Sequence, residues 1–413
     1  MPQPQPDYHL LVKPAGSACN LGCRYCFFLS KENLYPRESP RMDEATLESY
    51  LRQLMESSPR QQVEVSWQGG EPMLRGLDFF RRSVELAERY RKADQRVLHT
   101  IQTNGTLIDD EWAAFFRKNG YLVGLSIDGP RDMHDAYRLS KQGEGTFDDV
   151  IRAWHCLRRH GVDTNILCTV HAANEGHPRE VYRFFRDELK ARYIQLIPIV
   201  ERATSDTIAL ANQGWGGFKG TDRPLYRQEG DLVTERSVNP LRFGQFLIGI
   251  FDEWIKRDVG KVFVTTFDVA LGSWMGQHNS CVVAPECGRA LAMEHNGDVY
   301  SCDHFVEPGY LVGNMHETPL SALVTSEKQR RFGQSKFSTL PKYCRECPVL
   351  FACYGECPRN RFISTPEGEP GLNYLCAGYK TFFQHIDGPM TVMANLIRQG
   401  RYADEIIKEF DRA

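Results

Sequence analysis

The sequence predicts an α/β protein of six strand–helix repeats, followed by a smaller module organised around metal centres rather than a large apolar core. Two observations carry this. Between residues 8 and 200, short β-rich apolar runs alternate with amphipathic segments of helical period. Beyond residue 281 cysteines become dense and regular periodicity fades.

The strands are expected at Tyr8–Lys13, Val63–Gln68, Val97–Thr103, Leu122–Asp128, Asp163–Val170 and Tyr193–Val200, with helices near 43–57, 76–93, 109–119, 146–160 and 177–190. The first helix opens Asp43-Glu-Ala-Thr with its acids in the first turn, where they complement the helix dipole. Strands separated by helices imply parallel βαβ units. Six repeats can curl into a partial barrel or stay open, and in both geometries ligands collect at the carboxyl ends of the strands. The unusual residues fall there: the loop of Cys19, Cys23 and Cys26, then Gly69-Gly70-Glu71-Pro72, Thr103-Asn104-Gly105 and Ser126-Ile127-Asp128-Gly129. Residues 201–238, polar and centred on Gly214-Trp215-Gly216-Gly217, read as a loop or linker. A helix is expected at 240–257 and a last one at 388–409. The division that follows is 1–238, a connecting segment 239–275, a cysteine-rich module 276–385 and a terminal helix 386–413.

Charge narrows the function. With 50 Lys+Arg against 53 Asp+Glu the net charge is -3, so no global basic field exists to hold nucleic acid or an anionic membrane, and neither is expected as a partner. The opening residues lack a basic segment leading into an apolar run, and no stretch has the length a bilayer requires, so a cytoplasmic protein is expected. Thirteen cysteines in a chain of 413 residues, gathered toward its two ends, favour cluster or metal ligation over a disulfide scaffold.

Cys19-x3-Cys23-x2-Cys26 offers three thiolates in one loop, whereas a cubane iron–sulfur cluster has four irons, which leaves one iron open. A structural zinc site would be closed by a fourth ligand, for which His9 is the available alternative. The spacing, with Tyr25 before the third cysteine, resembles the signature of the radical S-adenosylmethionine (AdoMet) superfamily. That resemblance implies a partial (β/α)6 barrel, a 4Fe–4S cluster whose open iron chelates AdoMet, and a 5′-deoxyadenosyl radical as the working oxidant. Gly69 and Gly70 would admit close backbone approach by the ligand, and Asn104, Ser126 and Arg138 would take its ribose and carboxylate. Each has a plainer reading: Asn104-Gly105 as a turn, Ser126 as a cap, Arg138 as a surface residue. Their shared sheet edge favours one site.

The second set, Cys281, Cys287, Cys302, Cys344, Cys347, Cys353, Cys357 and Cys376, would fill two four-cysteine sites. A zinc ribbon is the structural alternative. The spacing resembles the SPASM twin-cluster domain of peptide-modifying radical enzymes, whose interleaved ligation implies Cys281, Cys287, Cys302 and Cys357 on the nearer cluster and Cys344, Cys347, Cys353 and Cys376 on the farther. Three 4Fe–4S clusters result. Cys156 and Cys168 read as buried small residues.

Across nearly the whole chain, segments such as Cys23-Arg-Tyr-Cys-Phe-Phe-Leu, Ser66-Trp-Gln-Gly-Gly-Glu-Pro, Tyr193-Ile-Gln-Leu-Ile-Pro-Ile-Val-Glu-Arg and Glu294-His-Asn-Gly-Asp-Val-Tyr-Ser-Cys-Asp-His-Phe-Val resemble the anaerobic sulfatase-maturating enzymes. The resemblance implies oxidation of a cysteine or serine in an unfolded sulfatase, within a Cys/Ser-x-Pro/Ala-x-Arg motif, to Cα-formylglycine, and a reducing donor such as flavodoxin or ferredoxin. It groups Tyr25, Gln68, Gly69, Gly70, Glu71, Asn104, Ser126, Arg138 and Leu196 around AdoMet and peptide. Asp303, directly after Cys302, becomes the candidate base for the target's S–H or O–H proton; its plainer reading is a loop-shaping carboxylate. Two rivals are a SPASM enzyme forming peptide crosslinks and a non-catalytic zinc or iron–sulfur protein that carries electrons.

Overall fold

The computed structural model describes residues 8–36, 39–215 and 225–410. Gly216 and Gly217, read above as part of a loop, lie outside them, as do residues 1–7.

The six expected strands form as β1 (His9–Val12), β2 (Gln62–Trp67), β3 (Arg96–Thr103), β4 (Leu122–Ser126), β5 (Asp163–Val170) and β6 (Tyr193–Pro198), all parallel. Helices Glu44–Ser57, Leu77–Tyr90, Asp110–Lys118 and Phe147–Arg159 connect β1 to β5. Asp43 and Asp109 cap two of them, accepting from the Thr46 and Trp112 amides at 2.7 and 3.0 Å. Residues 178–188 form a helix that widens into a π turn before β6.

The order across the sheet is the order of the chain, β1 to β6, with no reversal. Right-handed crossovers then place the connecting helices on one face, and the other face must find its cover by curling. It does: Leu11, Ser66, Thr100, Gly124, Leu167 and Gln195, one from each strand, line a single cavity of about 530 Å³. The sheet is a partial barrel, since its outermost strands do not pair with each other.

Beyond the six, β9 (Phe263–Val264) extends the β6 edge, while β10 (Ala290–Met293) runs parallel beside β1 and continues antiparallel into β11 (Asp298–Tyr300) and β12 (Leu311–Asn314). The C-terminal module therefore shares its sheet with the N-terminal repeats. Residues 201–215 and 225–238 differ from a free linker. Their strands β7 (Arg202–Ala203) and β8 (Leu232–Val233) pair, a buried Arg236–Glu201 ion pair at 3.1 Å ties the loop, and Trp215 donates its amide to Arg24 O at 2.9 Å. The segment packs on the cysteine loop.

In place of one helix over 388–409, a long helix runs Cys376–Arg398 and is followed by a short helical turn at Ala403–Ile406 and a final one at Ile407–Phe410. Gly388-Pro389, which locally reads as a helix start, sits inside the long helix, because Phe382, Phe383, Ile386, Met390 and Met393 form one buried stripe through that point. Gly400, at φ +73°, follows its end. This helix crosses Pro240–Arg257 at paired glycines: a Cβ on Gly378 would lie 2.0 Å from Pro240 O, and one on Gly244 2.6 Å from Gly378 O. Gly378→Ala should cost about 1–3 kcal/mol through overpacking, read as a lowered midpoint in chemical denaturation; an unchanged midpoint contradicts the close crossing. His99, buried and stacked on Tyr121 at 5.0 Å, is pushed by burial from 6.5 to about 4. As pH falls through that window the unfolded chain takes the proton first, so stability declines. His99→Phe should flatten this part of the acid slope.

Candidate active site

The loop after β1 brings Cys19, Cys23 and Cys26 together beneath the ends of β2, β3 and β4. Asn104, in the loop after β3, donates from Nδ2 to Cys19 Sγ at 3.7 Å and to Asn20 Oδ1 at 2.9 Å. The Cys19 sulfur also accepts the Leu21 amide at 3.4 Å. Burial pushes the Cys19 and Cys23 thiols up to about 12 and Cys26 to about 11. Only a bound cationic centre would hold such buried groups as thiolates.

Gly69 and Gly70 allow close approach, and what approaches is the cysteine loop itself. A Cβ on Gly70 would fall 2.1 Å from Ala18 O, and one on Gly69, at φ +125°, 2.9 Å from Gly16 O. The amides of Gly70 and Glu71 donate to Gly16 O and Ala18 O at 2.9 and 2.8 Å. Glu71, grouped above with the ligand contacts, spends its carboxylate within the protein: it accepts from the Met73 amide at 3.0 Å, the Thr103 hydroxyl at 2.9 Å and the Asn104 amide at 2.9 Å. It is a brace between the loops after β2 and β3, fully buried, and burial raises it to about 7.

Arg138 is not a surface residue. Its guanidinium is buried and gripped by Asp128, Nε to Oδ2 at 2.8 Å and Nη2 to Oδ1 at 3.2 Å, while Tyr25 donates its hydroxyl to the same Oδ2 at 2.6 Å. Burial alone would raise the Asp128 carboxyl, but Arg138 and His171 overcome that and hold it well below the usual range. Ser126 accepts from Gln102 Nε2 at 3.0 Å. Gln68 and Leu196 line the barrel cavity, and Gln68 Oε1 is a buried acceptor with no hydrogen-bond donor.

The cavity is also lined by Cys281, Cys302, Asp303 and Cys357, and by Cys353, which it shares with a second pocket. That second pocket is lined by Cys344, Cys347, Cys353 and Cys376. The chain alternates between these two groups at Cys353 and Cys357 by a turn in which Tyr354, Gly355 and Glu356 all take left-handed φ, 44°, 68° and 53°. Left-handed backbone is costly for the two non-glycine residues. Arg361 compensates, donating from Nη2 to Tyr354 O at 2.7 Å and from Nε to Gly355 O at 2.9 Å. Lys336, fully buried, donates to the carbonyls of Cys281, Val282 and Ala284 at 2.5, 2.9 and 2.5 Å, and shapes the Cys281 loop.

Sequence reasoning missed Lys336, Arg361 and, most of all, Lys13. Lys13 directly follows β1 with its side chain fully buried, and its Nζ stands 2.7 Å from Asp303 Oδ1, off the axis of a well-aligned hydrogen bond. A lone charge closing the apolar run Leu10-Leu11-Val12 was the available signal. Cys156 and Cys168 are buried away from both cysteine groups. Cys156 does lie near Asp110 and His160, but Arg159 also binds Asp110 Oδ1, at 2.7 Å, and supplies the positive charge there.

These features define a class: a partial barrel with a three-cysteine loop at the carboxyl ends of its strands and a cysteine-rich module facing it. The model of the Radical SAM superfamily matches residues 14–185, and that of the SPASM iron–sulfur cluster-binding domain matches 285–348. The chain is 44% identical over 405 residues to the serine-type anaerobic sulfatase-maturating enzyme of Bacteroides thetaiotaomicron, covering 97% of this chain and 94% of that one. To the cysteine-type enzyme of Clostridium perfringens it is 32% identical, over 95% and 100% of the two chains. The solved structure of native anSMEcpe with bound AdoMet and Kp18Cys peptide superposes with TM-score 0.78 at 30% identity, over 94% of this chain and 99% of that one. This chain belongs to the anaerobic sulfatase-maturating enzymes, and it is a radical SAM oxidoreductase with iron–sulfur and AdoMet-binding capacity. Gly70→Ala should displace the N-terminal loop and lower the iron taken up on anaerobic reconstitution, leaving the share held by the C-terminal module. Unchanged iron content contradicts the packing of Gly70 on that loop.

Proposed function

We propose that this enzyme converts one side chain of a sulfatase polypeptide into Cα-formylglycine, with Asp303 as the base that takes the target's proton. The observation that carries the assignment is the position of Asp303: next to Cys302, on the cavity wall, with Oδ1 making no aligned hydrogen bond inside the protein. Cys19, Cys23 and Cys26 would hold the radical-generating cluster, with Gln68, Asn104, Ser126 and Leu196 around AdoMet and the peptide. The Asp128–Arg138–Tyr25 cluster would form the adjoining wall. Cys281, Cys287, Cys302 and Cys357 would hold the nearer auxiliary cluster and Cys344, Cys347, Cys353 and Cys376 the farther, giving three 4Fe–4S clusters and about twelve irons per chain. The donor set fits in its placement: Cys19, Cys23 and Cys26 share one loop, Cys281, Cys302 and Cys357 line the barrel cavity, and Cys344, Cys347, Cys353 and Cys376 line a neighbouring pocket.

When bound, these groups supply the radical that removes the Cβ hydrogen of the target and the acceptor for the second electron. The chain's own residues do the rest. Asp303 takes the S–H or O–H proton as the carbon–heteroatom double bond forms. A serine yields the aldehyde directly, and a cysteine yields a thioaldehyde that water hydrolyses. The substrate is read as an unfolded segment carrying Cys/Ser-x-Pro/Ala-x-Arg, with flavodoxin or ferredoxin as reductant. Serine is the favoured target, because identity to the serine-type relative, 44%, exceeds that to the cysteine-type relative, 32%.

Asp303→Asn should lower formylglycine formed per 5′-deoxyadenosine by about 100-fold or more, measured by mass spectrometry of the peptide and chromatography of the nucleoside. A ratio equal to wild type rejects the base assignment. Peptides differing only in Ser or Cys, compared through kcat/KM for hydrazine-reactive aldehyde, should favour serine; a preference for cysteine overturns that choice, and a product without aldehyde supports the crosslinking rival.

A further inference from the structure

A buried ammonium is expensive unless it is paired. Lys13 has two carboxylates within reach, Asp303 Oδ1 at 2.7 Å and Glu294 Oε1 at 3.9 Å, and its Nζ lies over the Phe28 ring, 3.9 Å from the centroid. Its backbone is fixed as well: the Lys13 amide donates to Met293 O at 2.9 Å, continuing the parallel ladder of β1 and β10. Charge neutralisation alone would be served by Glu294, which is equally buried and adjoins that ladder. The ammonium instead sits closer to Asp303, the residue on the cavity wall.

We propose that Lys13 is a positioning residue for the oxidation: it holds the Asp303 carboxylate against the cavity, facing the target side chain, and ties it to the strand that leads into Cys19, Cys23 and Cys26. The proposal rests on the reading of Asp303 as the base. Lys13 touches neither substrate nor cofactor in this role, and acts through Asp303. A point charge on a flexible stem suits the task, because it fixes the carboxylate oxygen it faces without occupying the aligned hydrogen-bond direction left for the target's proton. Lys13 is itself held in place by the Cα–Cβ packing of the loop after β2, since a Cβ on Gly69 would lie 3.0 Å from Lys13 Cβ.

The test compares Lys13→Met, Lys13→Arg, Asp303→Asn and the Lys13→Met/Asp303→Asn double variant of the reconstituted enzyme. The readout is the ratio of formylglycine to 5′-deoxyadenosine, using a peptide deuterated at Cβ of the target. Lys13→Met should lower that ratio about 10-fold or more, as loss of an orienting partner does, while deuterium still enters the 5′-deoxyadenosine that forms. Lys13→Arg should recover most of the ratio, and the double variant should be no worse than Asp303→Asn alone. A wild-type ratio in Lys13→Met, with Asp303→Asn impaired, overturns the role of Lys13 and leaves the base in place. A wild-type ratio in Asp303→Asn removes the base reading first, and the proposal with it. Should Lys13→Met not fold, Lys13→Gln is read in the same way. Denaturation of the reconstituted variants gives an independent measure: the effects of Lys13→Gln and Asp303→Asn should be less than additive, and additive effects contradict the pairing.

Discussion

Parallel pairing of β1 with β10 is the constraint on which the rest of the site depends. The register sets His9 against Ala290 and Val12 against Met293, and a slip of one residue would turn every side chain of β1 to the opposite face. β1 runs on into the loop of Cys19, Cys23 and Cys26, and the β10–β11 hairpin runs on into Cys302 and Asp303. One ladder therefore determines how far the three-cysteine loop stands from Cys302 and Asp303. Lys13 and Asp303 meet at the end of that ladder. Removing one member of a buried pair typically costs about 3–5 kcal/mol, while replacing both with apolar groups is often neutral. The pair is thus better explained by the geometry it imposes than by any stability it adds.

The cysteine-rich module faces the opposite problem, which is to hold two groups of thiols apart with little apolar core. Its own buried cluster contains Leu340, Cys344 and Leu372, far less than the aromatic-rich core behind the sheet. Backbone conformation does the separating. Three successive left-handed residues reverse the chain between Cys353 and Cys357, and their carbonyls turn toward Arg361. Glu356, the last of the three, has its carboxylate satisfied in turn by the side-chain amides of Asn360 and Asn373 at 3.1 and 2.8 Å. Left-handed geometry at Tyr354 and Glu356 persists because these bonds over-determine it.

The six strands were legible to within a few residues because each carries a buried apolar face at period two and ends at turn-forming residues. What escaped was fixed by partners distant in sequence. Lys13 finds Asp303 at the end of the β1–β10 ladder, Glu201 is paired with Arg236 rather than placed by any periodic pattern, and the long helix at Cys376–Arg398 continues through Gly388-Pro389 because its buried stripe outweighs the local break. Glu71 shows a subtler error. Its neighbours Gly69 and Gly70 mark a close approach correctly, yet the approaching partner is the chain itself, and a motif alone does not distinguish a loop pressed against a ligand from one pressed against another loop.

Formal charge within the barrel is nearly all matched inside the protein: Arg138 on Asp128 at one wall, Lys13 on Asp303 and Glu294 at another. The uncompensated cost lies with the buried cysteines, whose thiols are pushed up to about 12 at Cys19, Cys23, Cys353 and Cys357. Folding thus prepares sites in which the thiolate is unfavourable until a cationic centre arrives, so that cluster binding must release protons and its free energy becomes part of the stability of the folded chain.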